Sequence, residues 1–384
     1  MASFKISAPG RIVLSGEHSA MYGKRFVMAG LDLRTNLEFC ELPMSELIKI
    51  DFPRVHLQNS ILHRIVADYF SHEKVSEIRP YPIDLLRYVN HFIDMNHLCD
   101  TREQRFSLQM FFYLFCMIKN LAIKPFYLRV FTNLPSSPGL GSSTSFAVCL
   151  AACFLHWKRL QEGDDQSNEF NHNEIRKIRN YAKSCEEILQ DHVIAAIDAQ
   201  ICITGRLKSC LRKNYKEYIT ETLYSNIEVK LLLIDSTVRQ KREERAQQIA
   251  GLTHSPSDFN SMLNKLVEMT KTIFKRFTHI SSIANINDSN AHEKAYKDLQ
   301  ADIMKNQQLL KDNNLSHEEI DRICSIGTDF GLAGKLTGFG GGYVYFLLPL
   351  ITKEDIKRIE THLLKQHFNY IFANIDHSGL RIDK

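Results

Sequence analysis

"PSSPGLGSSTSFAVCLAACF", residues 135–154, sets five serines, a threonine and two glycines ahead of ten consecutive apolar residues, Phe146 to Leu155. A turn rich in Gly and Ser that runs into a helix aims several backbone N–H groups in one direction. The helix dipole adds roughly half a positive charge at that end. Such a junction suits phosphate. Gly139 and Gly141 let the backbone approach an anion closely, and Ser142, Ser143 and Thr144 add hydroxyls for phosphate oxygens or Mg2+. Simple capping of the helix start is the plainer reading of the same residues, and the two are compatible.

Familiar nucleotide signatures fail elsewhere in the chain. The pattern GxxxxGK[ST] is approached only at "LAGKLTG", where Leu336 follows Lys335 and Asp329 stands in place of the first glycine. "GLGSST" and "GFGGGY" open as GxG but lack the third glycine of a dinucleotide fingerprint. "DFG" at Asp329–Gly331 has no preceding HRD loop and is a chance tripeptide.

Composition narrows the class. A chain of 384 residues, 44% hydrophobic and 24% charged, can bury a large core and is expected to form two domains. The balance of 48 basic and 44 acidic residues, net +4, gives no reason to expect nucleic acid. Nine scattered cysteines, among them Cys116, Cys149, Cys153 and Cys202 in apolar surroundings, read as reduced core thiols and a cytoplasmic setting. The first residues carry no apolar signal segment, and no apolar run approaches the ~18 residues a bilayer requires, so no membrane role is expected.

Alternation predicts strands over 4–14 and 26–40, with "GEHSAMYGK" (16–24) as a loop, then helix from Ile61 to about Leu121 and a strand at 126–134. After the apolar helix, 161–174 reads as a surface loop and 175–189 as helix. "VKLLLIDST" (229–237) reads as a buried strand opening a second domain at a boundary near 228. Amphipathic helices follow to about 325. A glycine turn then leads into a strand, followed by a helix from Lys353 and a final strand near "YIFANID".

Three segments occur in a fixed order: "APGRIVLSGEHSAMYGK" from Ala8, "LPSSPGLGSSTSFAV" from Leu134 and "KLTGFGGGYVYFLL" from Lys335. Through them the chain resembles the GHMP kinases, small-molecule ATP kinases whose phosphate loop has the form P-x-x-x-G-L-G-S-S. "GEHSAMYGK", "LDLRTNL" (31–37) and the Ala/Cys-rich helix are most similar to the members that phosphorylate mevalonate. The resemblance implies an α+β fold of two domains: 1–228, like domain 2 of ribosomal protein S5, and 229–384, a ferredoxin-like α/β sandwich.

It also implies roles. Pro138, Gly139, Leu140, Gly141, Ser142, Ser143 and Thr144 would wrap the ATP phosphates, with the Ser143 hydroxyl reaching Mg2+. Glu187, eleven residues before Asp198, stands in the register of the family's metal-binding glutamate, with Glu186 as neighbouring candidate. Asp198 would accept or orient the proton of the primary alcohol while Arg11 steadies the developing oxyanion. Glu17 and His18 would lie at the substrate and phosphate end of the cleft, and Gly338–Gly342, with Gly340 and Gly341 at the centre, would close over it. Thr237, with Arg239 and Lys241, has the chemistry to meet a substrate carboxylate. Each has a plainer reading: Asp198 as a cap or surface carboxylate, Glu187 on a solvated helix face, His18 as a loop histidine, the glycines as a tight turn. A homodimer, and inhibition by prenyl diphosphates at the ATP phosphates, are further implications of the family.

The chain departs from the family's pattern at three places. Arginine occupies position 11 where the family usually has lysine, which keeps the charge but removes a tunable proton. "DSTVRQKRE" replaces the usual Val-Pro-Arg-Ser/Thr-like stretch, and "AAIDAQICITG" lacks the glycine before and the asparagine after the aspartate. Phosphomevalonate kinase activity and a ligand sensor without turnover are the alternatives; "SAMY" after "GEH" counts against a galactokinase.

Overall fold

The computed structural model describes residues 1–135, 139–163, 168–190, 194–214, 217–224, 227–239, 247, 249, 251, 256–286, 288–338, 342–348 and 353–383. The chain opens with β1 (Ser3–Ser15), a short helix α1 (Glu17–Met21) inside the expected loop, and β2 (Phe26–Glu41). β3 (Leu47–Phe52) and β4 (Leu57–Leu62) follow as an antiparallel pair. Next come α2 (His63–Tyr69), α3 (His72–Ile78), α4 (Pro82–Met95) and α5 (Arg102–Met117). β5 (Phe126–Thr132) leads to α6 (Ser142–Gln161), α7 (His172–Gln190) and α8 (Ala195–Thr204), then to β6 (Leu207–Arg212) and β7 (Tyr218–Leu223). The remainder runs β8 (Lys230–Asp235), α9 (Pro256–Ile283), α10 (Ser289–Asp312), α11 (Glu318–Asp329), β9 (Gly334–Thr337) and β10 (Tyr343–Leu348). It ends with α12 (Lys353–Lys365), β11 (Tyr370–Asn374) and β12 (Arg381–Asp383).

Two sheets result. One of eight strands runs β12-β1-β2-β5-β3-β4, with the β6–β7 pair added along the first residues of β2; the other, of four strands, runs β11-β8-β10-β9. β2 is long enough to serve two partners, β6 through Phe26–Ala29 and β5 through Thr35–Glu41. The last strand, β12, returns to pair with β1 at Lys5–Ser7.

Side-chain direction explains the layering. Ile6 and Ala8 of β1 join the core formed with α5, α6 and α7, where Ala147 to Leu155 are buried all round. A register shift at Pro9/Gly10 breaks the alternation. Beyond it, Ile12 and Leu14 face the second sheet with Leu231, Leu233 and Tyr345, while Val13 packs against Ile197 and Ile201 of α8. Arg11 shares the Val13 side by strand parity and so meets α8. Cys149, Cys153 and Cys202 lie inside this core, and burial raises their thiol pKa values.

Candidate active site

The start of α6 sits against the end of β1. The Arg11 amide donates to Leu140 O at 2.9 Å and its guanidinium to Gly139 O at 2.6 Å, so the glycine turn is laid directly on the strand. Gly141 has φ +75°, and a Cβ there would lie 2.7 Å from Arg11 Cγ; only glycine allows this contact. Gly141 offers no side-chain cap to the 20-residue helix behind it, so the cap position leaves the first amides of that helix to other partners. Gly338 approaches from the second sheet: a Cβ on it would lie 3.4 Å from Gly139 Cα.

Asp198, in the first turn of α8, meets Arg11 in an ion pair of 2.7 Å, with side-chain exposures of 0% and 5%. Burial alone would lower the Arg11 pKa, but Asp198, by charge and hydrogen bond and helped by Cys202 and Glu186, raises it above the ordinary value. Arg11 is thus a permanent cation fixed between the glycine turn and the carboxylate. Sequence reasoning placed both residues in the site, and the fold brings them into contact across 187 positions of chain.

Of the two neighbouring glutamates, it is Glu186 rather than Glu187 that the fold sets against the serine turn. Glu187 is exposed and pairs with Lys183 at 3.6 Å along its own helix. Glu186 is buried, on the stripe of α7 that carries Ala182 and Cys185, and accepts from Ser143 Oγ (3.2 Å), Thr144 Oγ1 (3.1 Å) and Gln190 Nε2 (3.0 Å). Helical geometry gives the reason: residues 182, 185 and 186 share a face at i, i+3 and i+4, and 183 and 187 share a neighbouring one. Counting residues back from Asp198 could not see this, whereas the apolar periodicity of α7 could.

Glu17 and His18 are both buried in α1. The Glu17 carboxylate is engaged by Lys335 of β9, with Oε1 2.5 Å from Nζ and both side chains almost wholly enclosed. Burial lowers the Lys335 pKa, partly offset by Glu17. Around this pair, Thr337 Oγ1 donates to Val13 O (2.8 Å), Tyr345 OH to Leu14 O (2.7 Å), and Ser15 and Thr270 hydroxyls meet at 2.8 Å. Lys335 was met in the sequence as the lysine of a failed P-loop and the first residue of the third segment, without a role of its own, because its partner lies 318 positions away. Thr237 is exposed, its hydroxyl given to Ser236 O and its backbone at φ +58°, an unusual conformation for a β-branched residue. Both terminal guanidinium nitrogens of Arg239 donate to Asp235 at 3.0 Å. Pro138, Lys241, Gly340 and Gly341 lie outside the described residues.

A cavity of about 510 Å³ opens beside Ser142 and Ser143, walled by Phe52, Val55, Phe106 and Phe146 with Arg54 at its rim. Arg54 donates to Leu134 O (2.9 Å) and Pro135 O (2.7 Å), which anchors the approach to the glycine turn. An apolar chamber next to an anion-seeking helix start fits a nucleotide, base in the chamber and phosphates at the turn. No cluster of three His, Cys, Asp or Glu side chains with metal-binding geometry exists among the described residues. The set at hand, one buried carboxylate beside the Ser143 hydroxyl, suits Mg2+, whose remaining ligands are ordinarily phosphate oxygens and water.

No family model matches the chain. It is 25% identical over 401 residues to a mevalonate kinase of Gibberella zeae, covering 99% of this chain and 77% of the relative. It is 24% identical over 390 residues to the mevalonate kinase of Homo sapiens, covering 98% and 94%. Among solved structures, that of the Methanococcus jannaschii mevalonate kinase superposes with a TM-score of 0.68 at 18% identity, covering 98% of this chain and 99% of the other. The chain has the fold of the GHMP kinases and, from end to end, resembles their mevalonate kinases.

Proposed function

We propose that the chain is a kinase that transfers the terminal phosphoryl group of ATP to the primary hydroxyl of mevalonate, giving 5-phosphomevalonate for isoprenoid synthesis. The observation that carries this reading is the buried Arg11–Asp198 pair set directly against the glycine turn at the start of α6. Its likeness to mevalonate kinases over nearly its whole length supports the choice of substrate.

ATP with Mg2+ supplies the phosphoryl group and the charge neutralisation that such transfer needs. The chain supplies position. The amides and hydroxyls at Gly139–Thr144 would hold the phosphates, and Glu186 with Ser143 would hold the ion. Asp198 accepts a hydrogen bond from the substrate hydroxyl and directs its oxygen in line. Arg11 cannot take part in proton exchange, so it acts by its fixed charge on the developing oxyanion and by orienting Asp198. Gly338, set against Gly139, covers the phosphates from the second sheet. Thr237 stands near the end of β8, where Ser236 N donates to Gly342 O at 3.1 Å, and is assigned to the substrate side.

The division into domains is drawn near residue 228, with the terminal strand β12 returning to the first sheet. No described helix is long and apolar enough to cross a membrane. A cytoplasmic homodimer, inhibited by prenyl diphosphates that compete at the phosphate turn, completes the reading. A coupled ADP-release assay with mevalonate, galactose, homoserine and phosphomevalonate tests it. Turnover is expected with mevalonate only; turnover with phosphomevalonate alone would reassign the substrate, and tight ATP binding with no turnover on any of them would make the chain a sensor.

A further inference from the structure

The segment after β11 is tied into the molecule more densely than a connection to a three-residue strand requires. Arg34 of β2 is buried and directs its whole guanidinium at this segment and at β1. NH1 donates to Asp376 Oδ1 (2.8 Å), NH2 to Gly379 O (2.6 Å) and Ser7 O (3.0 Å), and Nε to Ser7 Oγ (3.1 Å). The second Asp376 oxygen accepts from the Gly379 amide (2.6 Å) and the Ser378 amide (3.1 Å), which closes residues 376–379 into a hook.

The hook grips two places that matter to the site. Asp376 N donates to Gly30 O (2.9 Å), and Gly30 is the register partner of Arg11 across β1 and β2. Asp376 O accepts from Arg206 N (2.7 Å), and Leu380 N donates to Ile203 O (2.8 Å), satisfying a carbonyl in the last turn of α8. The fit is tight: a Cβ on Gly205 would lie 2.5 Å from Asp376 Oδ2, one on Gly379 2.2 Å from Ile203 O, and one on Gly30 2.9 Å from Gly205 Cα. Ile203 lies five residues, about 7.5 Å of helix, beyond Asp198. One element therefore holds the strand neighbour of Arg11 and the end of the helix that carries Asp198.

We infer that Arg34 and Asp376 are positioning residues for the reaction: through the hook they fix where α8 presents Asp198 to Arg11. The inference rests on the reading of Arg11 and Asp198 as the reacting pair. Loss of the hook lets α8 slide or tilt, and a misplacement of the order of 1 Å at a reacting group costs up to about a hundredfold in rate. Nucleotide binding, seated on α6, is not expected to change.

The test compares kcat and KM for Asp376→Asn, Arg34→Lys, the double variant and Asp32→Ala, each confirmed folded by a thermal melt. Asp32 bonds the neighbouring Asn374 outside the hook and serves as control. The expected result is kcat reduced about tenfold or more in both single variants, KM for ATP within about twofold, the double no worse than the weaker single, and the control unchanged. A melting temperature that falls while kcat per folded molecule stays within about twofold would overturn the inference and leave the pair a merely structural clamp. If either variant fails to fold, Ser378→Ala, which removes one hydroxyl from the same network, replaces it; an unchanged kcat there would likewise overturn the inference. Asp198→Asn is run alongside. Full activity in that variant would defeat the site assignment itself, whereas its inactivity with normal hook variants would defeat only the hook.

Discussion

Arg11 and Asp198 form a 2.7 Å ion pair with almost no solvent access, held from the other side by the Gly139 carbonyl 2.6 Å from the same guanidinium. Removing one partner of such a pair leaves a charge buried without compensation. Arg11→Met is expected to destabilise the fold by about 3–5 kcal/mol in urea unfolding, and the Arg11→Met, Asp198→Asn double variant by less than the sum of the singles. Additivity would mean that the pair is not coupled. Arg11→Lys keeps the charge and is expected to keep measurable turnover.

Gly141 owes its identity to a positive φ and to Arg11 Cγ at 2.7 Å from the place a Cβ would occupy. Gly141→Ala is expected to raise KM for ATP about tenfold and lower kcat as well, because the phosphate turn must lift off β1. Gly163 also has positive φ but nothing within 4 Å. Gly163→Ala costs only the conformational strain of about 1–2 kcal/mol, with kinetics unchanged. Equal kinetic effects in both would remove the close approach as the cause.

Glu186 faces the Ser143 and Thr144 hydroxyls, whereas Glu187 faces water. Glu186→Gln is expected to shift the Mg2+ concentration for half-maximal rate upward by about tenfold or more, and Glu187→Gln to leave it in place. The reverse pattern would restore the assignment that residue counting suggested.

His156 is buried beside Arg159, and burial first, then that charge, push its pKa down to about 4. The unfolded chain, with a histidine near the ordinary value of about 6.5, takes up a proton before the folded one does. Its contribution is therefore intact above about pH 6.5 and is lost as pH falls toward about 4. Thermal melts across that window should show a shallower loss in His156→Gln than in the parent. Parallel curves would exclude His156 as a source of acid sensitivity.

What the sequence brought forward for the site is local. The serine-glycine turn and the apolar helix behind it follow one another without a break and carry their chemistry in a single short stretch. What escaped was long-range. β3–β4 and β6–β7 are antiparallel pairs of six-residue strands, and no strand was predicted over either pair. Lys335 and Arg34 gain meaning only from Glu17 and Asp376, more than 300 positions distant. The choice of Glu186 over Glu187 depends on which face of α7 is buried, a question of packing rather than spacing.

The claim on which all else depends is that a triphosphate lies at the start of α6, facing Asp198. A crystal structure with mevalonate and a non-hydrolysable ATP analogue tests it most directly. The account predicts the phosphates on the amides of Gly139–Thr144, the base in the chamber lined by Phe52 and Phe146, and the substrate hydroxyl within hydrogen-bonding distance of Asp198. Nucleotide bound elsewhere with that turn empty, or a substrate hydroxyl turned away from Asp198, would contradict it.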